Sequence, residues 1–190
     1  MGFWKAVTGR SEPAPARLDS LFEVPSAAVI LQTETGFVPV GTGSVCYRGA
    51  AGAAFAQTQQ DVLDLLEASS SAPEVEVSRD SFGFTWLTTT GDPGDPSGLC
   101  TDLHAVNTTL EAAGFGAGLL CTLIPFQDQA GRRLGLVYLY KQGTYYAFAP
   151  TGPQQRDNLL ELQLRDVLAQ ELPMEQDLQR WLAVWDAPGL

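Results

Sequence analysis

The single histidine of the chain is the side chain best suited to acid–base or metal chemistry. His104 follows Cys100 by four residues on a predicted helix, with Asp102 between them. Cysteine and histidine side chains one helical turn apart can share a zinc ion, but Cys46 and Cys121 lie far away in the sequence. Because the sequence does not place four ligands close to one another, we predict no bound metal. We expect instead a half-buried helix face whose histidine is hydrogen-bonded.

The patterns of nucleotide-binding and hydrolytic sites are incomplete. The segment from Gly41 to Cys46 contains two glycines, but it lacks the third glycine of a dinucleotide fingerprint and the Gly-Lys-Ser/Thr of a P-loop, and a strand is predicted to follow it. A Ser-His-Asp triad would need His104 as its base, and no Gly-x-Ser-x-Gly elbow exists for a nucleophile. We therefore predict no catalytic residues and no cofactor. The alternative is an enzyme or a small-ligand-binding protein with a cleft near Arg79 and His104.

Aromatic side chains on the predicted strands form another candidate site, a surface for a protein partner. Phe84 and Trp86 alternate on one strand, Tyr138 and Tyr140 alternate on another, and Tyr146 lies on a third. Such rows usually belong to the core of a sheet. Since successive side chains of a strand point to opposite faces, we expect one row to remain exposed. An exposed aromatic patch usually marks a binding surface.

The N-terminus is a further candidate for partner binding. Phe3 and Trp4 are apolar, basic residues flank them, and a Pro-rich linker separates them from the rest of the chain. We expect residues 1–10 either to dock on a partner or a membrane surface, or to cover the core of the domain.

The composition predicts a folded domain that does not bind nucleic acids. The chain has 190 residues, of which 45% are hydrophobic and 17% charged, and its formal charge is −11. The apolar fraction suffices for a core, whereas the negative charge repels phosphate backbones. Three widely spaced cysteines do not suggest a disulfide framework, and neither a signal peptide nor a membrane-spanning apolar run is evident. These features indicate a cytoplasmic protein.

Hydrophobic periodicity predicts an α+β fold, an antiparallel sheet with helices packed on one face, in the order ββα-ββα-βββα. The predicted strands are residues 28–33, 37–47, 74–79, 82–88, 119–126, 133–140 and 144–149, and the predicted helices are residues 53–68, 99–110 and 159–172. This topology resembles that of type III secretion chaperones and YbjN-type proteins. We divide the chain into an N-terminal segment with a Pro-rich linker (residues 1–17), a single α+β domain (18–172) and a C-terminal tail that packs on the domain (173–190).

Ten short stretches together resemble the family of PspA-associated proteins called PspAB. They are Met1–Trp4, Gly9–Arg10, Leu21–Ala28, Gly43–Arg48, Glu76–Trp86, Thr101–Asn107, Gly135–Lys141, Phe148–Gly152, Arg156–Asn158 and Trp185–Leu190. No single stretch is diagnostic, but their ordered set extends over nearly the whole chain.

The resemblance implies a role in the phage-shock-protein type of envelope stress response. The implied partners are PspA, a membrane-remodelling coiled-coil protein, its companion PspAA, and the membrane metalloprotease HtpX. No catalytic activity is established for the family, so no catalytic residue carries over to this chain. We therefore expect a non-enzymatic adaptor or regulator that acts by protein–protein interaction in the cytoplasm, held by its partners at the inner face of the cell membrane.

Overall fold

Three α-helices with complete boundaries form one layer of the part of the chain that the structure describes. A computed structural model of the protein describes residues 17–48, 60–61, 63–65, 68 and 73–190. The helices are α1 (Val24–Thr35), α2 (Pro96–Ala112) and α3 (Asn158–Leu168), and short 3-10 helices span Leu18–Glu23, Phe115–Gly118 and Leu178–Arg180. Residues 60–61, 63–65 and 68 are also helical. The rest of the helix predicted over residues 53–68 lies outside the described residues.

Helix α1 replaces the first predicted strand, so the prediction for residues 28–33 is wrong. Pro25 lies in the first turn of the helix, where its fixed φ is favourable and its missing N–H costs nothing. Gly36 ends the helix with a left-handed backbone at φ 78°. The buried residues of α1 are Val24, Ala27, Ala28 and Leu31. Their spacing of three and four is helical, whereas the continuous apolar run of residues 27–31 is equally typical of a buried strand.

The sheet has seven strands and confirms the predicted antiparallel α+β class. The strands are β1 (Val38–Pro39), β2 (Thr42–Tyr47), β3 (Glu76–Arg79), β4 (Thr85–Thr90), β5 (Leu119–Gln127), β6 (Arg133–Leu139) and β7 (Thr144–Phe148). Their spatial order is β3-β4-β2-β5-β6-β7, with β1 paired to β5, and all these pairs are antiparallel. A small hairpin of β8 (Pro150–Gly152) and β9 (Gln155–Arg156) follows, which the sequence pattern does not predict.

The close approach of α2 to the sheet explains the glycine at position 43 of β2. A Cβ at Gly43 would lie 2.6 Å from Cδ1 of Leu103 on α2, closer than any side chain tolerates. Gly43 therefore lets the helix pack against the strand. Helix α2 is capped at its N-terminus by Asp95, whose side chain accepts a hydrogen bond from the backbone N of Gly98 at 2.9 Å.

The two faces of the sheet enter different cores. The helices cover one face, where Leu136 of β6 shares a core with Leu103 of α2. The other face packs against residues 173–190, which we call the C-terminal segment, and here Val137 of β6 shares a second core with Trp181. Neighbouring side chains of one strand thus point to opposite faces and are buried on both.

Candidate functional site

Two adjoining cavities lie on the face of the sheet that the C-terminal segment covers. The smaller, which we call the apolar cavity, has a volume of about 440 Å³ and is lined by Cys46, Arg48, Asp80, Phe82, Phe84, Trp86, Leu120, Cys121, Leu139, Lys141, Gln142, Tyr146 and residues 182–185. The larger, which we call the wide groove, has a volume of about 780 Å³ and is lined by Ser81, Phe82, residues 130–133, residues 148–154, Asp157, Leu160, residues 184–186 and Leu190. Phe82, Val184 and Trp185 line both cavities, so the two share a wall.

The C-terminal segment is fixed to the sheet by hydrogen bonds and by stacked aromatic rings. The Tyr146 hydroxyl donates to the carbonyl of Leu182 at 2.8 Å, and the Trp181 ring stacks on Tyr146 with centroids 6.0 Å apart. The Trp185 ring packs edge-on against Phe148 at 4.9 Å. These contacts hold residues 181–185 in the position where they form the shared wall.

Glu175 anchors the start of the same segment to strand β7. Its carboxylate accepts hydrogen bonds from the hydroxyl of Thr144 at 2.8 Å and from the backbone N of Asp177 at 2.9 Å, and Arg180 lies 3.4 Å away. Desolvation of the buried carboxylate opposes ionisation, but these hydrogen bonds and the Arg180 charge together lower the pKa of Glu175. Folding therefore favours the ionised form.

A buried ion pair connects α3 to both the β8–β9 hairpin and the C-terminal segment. Glu161, which is fully buried, accepts hydrogen bonds from Arg156 Nε at 2.8 Å and from the backbone N of Ala149 at 2.8 Å. Arg156 also donates from Nη1 to the carbonyl of Trp181 at 2.9 Å and lies over the Phe148 ring. The guanidinium thereby joins the β8–β9 hairpin and the adjacent helix α3 to the C-terminal segment, 25 residues further along the chain.

One carboxylate shapes the turn between β3 and β4 that presents Phe82 to both cavities. Asp80 Oδ1 accepts hydrogen bonds from the backbone N of Phe82 at 3.0 Å and of Phe84 at 2.9 Å, and Oδ2 accepts one from the Trp86 indole at 2.9 Å. Residues 81–83 form the turn that joins β3 to β4, and the two strands pair antiparallel. Ser81 in this turn donates to the Asp186 carboxylate at 2.8 Å, which ties the turn to the C-terminal segment.

The interior of the apolar cavity contains two buried thiols. Cys46 and Cys121 are direct partners in the pairing of β2 and β5. The hydrogen bond between the two thiols, together with burial, raises the pKa of Cys46 far above its usual range. A thiol that stays protonated is a poor nucleophile and a poor metal ligand. Cys46 therefore contributes apolar surface rather than reactivity.

The wide groove combines apolar surface, arginines and a strained backbone. Phe82, Trp185 and Leu190 contribute the apolar part, and Arg132 and Arg133 lie beside it. Among the described residues, two that are not glycine have a positive φ, Gln154 at 55° and Asp186 at 58°, and both line this groove. Left-handed backbone at such residues is uncommon and clusters at functional sites.

The comparisons with known proteins identify the family. Residues 1–189 match the family model described as PspAB, PspA associated protein B. This chain belongs to the PspAB family. The match confirms the resemblance predicted from the ten short stretches, and it links the chain to the PspA system, since the family name implies association with PspA. The curated proteins and the solved structures give no match. The likeness to secretion chaperones and YbjN-type proteins therefore stays a prediction.

Most of the aromatic side chains predicted for partner binding are buried in this PspAB family member. Tyr138 and Tyr140 face the helical layer, and Trp86 and Tyr146 lie under the C-terminal segment. The expectation that one aromatic row is exposed is wrong for these four residues, because helices cover one face of the sheet and the C-terminal segment covers the other. Phe84 is half-buried at the apolar cavity, where it lies under the guanidinium of Arg48 at 5.4 Å.

Arg79 and His104, predicted to lie near one ligand cleft, are on different elements of the fold. His104 lies on α2, with Nε2 3.6 Å from the Asp19 carboxylate and its ring 4.8 Å from that of Phe22. Arg79 ends the edge strand β3, beside Gly83 of the hairpin turn. Neither residue lines the apolar cavity or the wide groove. The predicted ligand cleft near both residues therefore has no counterpart in these two cavities.

Cys100 and His104, the two residues considered as metal ligands, differ in their exposure to solvent. Cys100 is fully buried in the helical core, and burial raises its pKa to about 12. His104, one turn later, is partly exposed. The described residues contain no group of three His, Cys, Asp or Glu side chains that could hold a metal ion. In the same residues, no helix is long and apolar enough to cross a bilayer.

The N-terminal candidates Phe3 and Trp4 lie outside the described residues. By contrast, the residues that build the wide groove, above all Trp185 and Arg133, are absent from the sequence-based site prediction. Trp185 could have been found as one of two tryptophans in a short C-terminal tail. Arg133 had no local signal, because its position beside the tail depends on contacts with residues more than fifty positions away.

Proposed function

We propose that this protein is a non-enzymatic adaptor of the PspA system that binds a partner protein through the wide groove. The observation that supports this most directly is the combination of exposed apolar surface with arginine side chains in one groove, on a chain whose formal charge is −11. Surfaces that combine large aromatic residues with arginine are typical of the centres of protein interfaces.

The apolar part of the groove is suited to anchoring a partner. Phe82 has 59% of its surface exposed, and its backbone is fixed by the hydrogen bond to Asp80. The half-buried Trp185 is fixed by its edge contact with Phe148. Rigid aromatic side chains lose little conformational entropy on binding, so they contribute more affinity than flexible ones of the same size.

The charge of the groove favours an acidic partner surface. Arg133 donates from Nη1 to the neutral carbonyl of Gly189 at 3.4 Å, and no carboxylate of the described residues lies within salt-bridge distance of it. Its charge remains available to a carboxylate of the partner, whereas the rest of this acidic chain repels such a partner. Electrostatic complementarity of this kind determines orientation and association rate more than affinity.

An amphipathic helix with an acidic edge fits both properties, and PspA is the partner that the family name implies. The coiled-coil character that the resemblance implies for PspA provides such helices. PspAA and the cytosolic part of HtpX are the other candidate partners. Binding to any of them would hold the chain at the inner face of the cell membrane during the envelope stress response.

Calorimetric titration of the full chain with purified PspA tests the proposal. We expect Phe82→Ser to weaken binding on the order of tenfold, because aromatic residues at the centre of an interface contribute the most. Val29→Ser is the matched control: Val29 is also 59% exposed but lies on α1 in the helical layer. We expect this control to bind like the wild type.

A charge-reversal pair provides the second arm of the test. Arg133→Glu should weaken binding and reduce its dependence on salt, since salt screens exposed charge pairs. Arg165→Glu changes the net charge equally on the part of α3 that does not line the groove. No binding of PspA, PspAA or HtpX at high micromolar concentration would refute the adaptor function. Equal losses in Phe82→Ser and Val29→Ser would refute the groove as its site.

A further inference from the structure

The polar side-chain atoms that border the interior of the apolar cavity already form hydrogen bonds within the protein. The Trp86 indole donates to Asp80 and the Tyr146 hydroxyl donates to the carbonyl of Leu182. The Cys46 thiol is hydrogen-bonded to that of Cys121. The interior therefore presents carbon and sulfur to whatever enters, and a polar group placed there would lose its hydration without gaining a partner.

The mouth of the same cavity has the opposite chemistry. Arg48 and Lys141 are exposed and line the cavity, so their charged ends lie at its opening. No carboxylate of the described residues lies within salt-bridge distance of either cation. Asp80, the acidic residue at this rim, uses both oxygens for the hydrogen bonds of the hairpin turn. Two cations and one carboxylate leave a net positive charge at the mouth.

We propose that the apolar cavity binds a single-chain anionic amphiphile, such as a fatty acid, with its alkyl chain inside and its head group between Arg48 and Lys141. The volume of about 440 Å³ lies within the range of small-molecule sites. It corresponds to roughly 15 water-sized groups at ~30 Å³ each. This space admits one alkyl chain of medium length and is too small for the two chains of a diacyl lipid.

The net charge of the protein disfavours nonspecific binding of an anionic amphiphile. At a formal charge of −11 the surface as a whole repels anions. An anionic amphiphile therefore gains nothing from indiscriminate association, and its binding requires a site where the local field is reversed. The two cavities share the wall of Phe82, Val184 and Trp185, but the head group contacts Arg48 and Lys141, which do not line the wide groove. Failure of the adaptor function therefore leaves this proposal standing.

Calorimetry of the full-length protein with octanoate, decanoate and dodecanoate, each below its micellar concentration, tests the proposal. We expect one site, with affinity rising about fourfold per added methylene until the cavity is full. Dodecanol, which has no charge, should bind severalfold more weakly. Dodecyltrimethylammonium, which has the same chain length and a positive head, should bind still more weakly.

Variants locate the site. Arg48→Glu combined with Lys141→Glu should weaken dodecanoate at least tenfold and strengthen dodecyltrimethylammonium, since the charge at the mouth is reversed. Arg132→Glu combined with Arg133→Glu is the matched control: it changes the net charge equally but lies in the wide groove. This control should leave dodecanoate binding within twofold of the wild type. Leu139→Trp, which fills the cavity from a half-buried position, should weaken all the alkyl ligands together.

Three outcomes would overturn the proposal. The first is the absence of dodecanoate binding to the folded wild type. The second is equal binding of dodecanoate and dodecyltrimethylammonium, or equal losses in the two charge-reversal variants, because the head group would then lie elsewhere. The third is a gain of more than tenfold in dodecanoate affinity in Phe3→Ser combined with Trp4→Ser, which would identify the N-terminal segment as the natural occupant of the cavity.

Discussion

Removal of the Glu161 carboxylate is the most informative single perturbation of this fold. Glu161→Ala leaves the guanidinium of Arg156 without its counter-ion in a mostly buried position, and it leaves the backbone N–H of Ala149 without an acceptor. Each of these two hydrogen bonds to a charged group contributes about 1.5–3 kcal/mol. The sum agrees with the loss of about 3–5 kcal/mol that is usual when one partner of a buried ion pair is removed.

Equilibrium unfolding in urea, followed by circular dichroism, measures this loss. With a slope of about 2 kcal/mol per M, a decrease of about 3–5 kcal/mol in the free energy of unfolding lowers the midpoint by about 1.5–2.5 M. Asp166→Ala is the matched control, because Asp166 is an exposed acid on the same helix that pairs with Arg165. Its effect should stay below about 1 kcal/mol.

The double variant Glu161→Leu with Arg156→Met separates the ion pair from simple loss of contacts. Replacement of both charges by apolar side chains leaves no buried charge uncompensated, so at least half of the lost stability should return. A loss below about 1 kcal/mol in Glu161→Ala alone would refute the reasoning. It would mean that the pair does not hold α3, the β8–β9 hairpin and the C-terminal segment together.

Three further changes test other parts of the site. Asp80→Ala removes the acceptor of three hydrogen bonds and should lower the free energy of unfolding by about 2–4 kcal/mol, measured by urea unfolding. Tyr146→Phe removes the donor to Leu182 and should cost about 1 kcal/mol, with faster hydrogen exchange in residues 181–185. Because folding lowers the pKa of Glu175, its stabilisation is complete above the unfolded value of about 4.3 and is lost as the pH falls through the folded value. The stability difference between wild type and Glu175→Gln should accordingly shrink below about pH 4 in acid titrations of the unfolding midpoint.

The central strands could be predicted from the sequence because their local pattern agrees with their position in the sheet. Residues 119–149 contain three apolar and aromatic runs separated by turns with a glycine, and the three strands β5, β6 and β7 form there. Helix α2 was predictable for a similar reason, since Leu99, Leu103, Val106 and Leu110 recur at helical spacing and all face the core. Helix α1 was missed because a short buried apolar run has no periodicity that separates a helix from a strand.

The candidate site could not be predicted because it depends on contacts between distant parts of the chain. The hydrogen bond from Ser81 to Asp186 joins residues 105 positions apart, and that from Tyr146 to Leu182 joins residues 36 apart. These contacts place the C-terminal segment over the second face of the sheet and bury Tyr146, which the strand pattern alone leaves open to solvent. Alternation along a strand predicts which residues share a face, but it does not predict what covers that face.

Hydrogen–deuterium exchange of the full-length protein with and without purified PspA tests the central claim most directly. The account predicts slower exchange on binding in residues 81–84, 130–133, 150–157 and 184–190, which line or adjoin the wide groove, and no change in α1 or in the exposed face of α2. Protection confined to the helical layer around His104, with the groove unchanged, would contradict the claim that this protein acts as an adaptor through the wide groove.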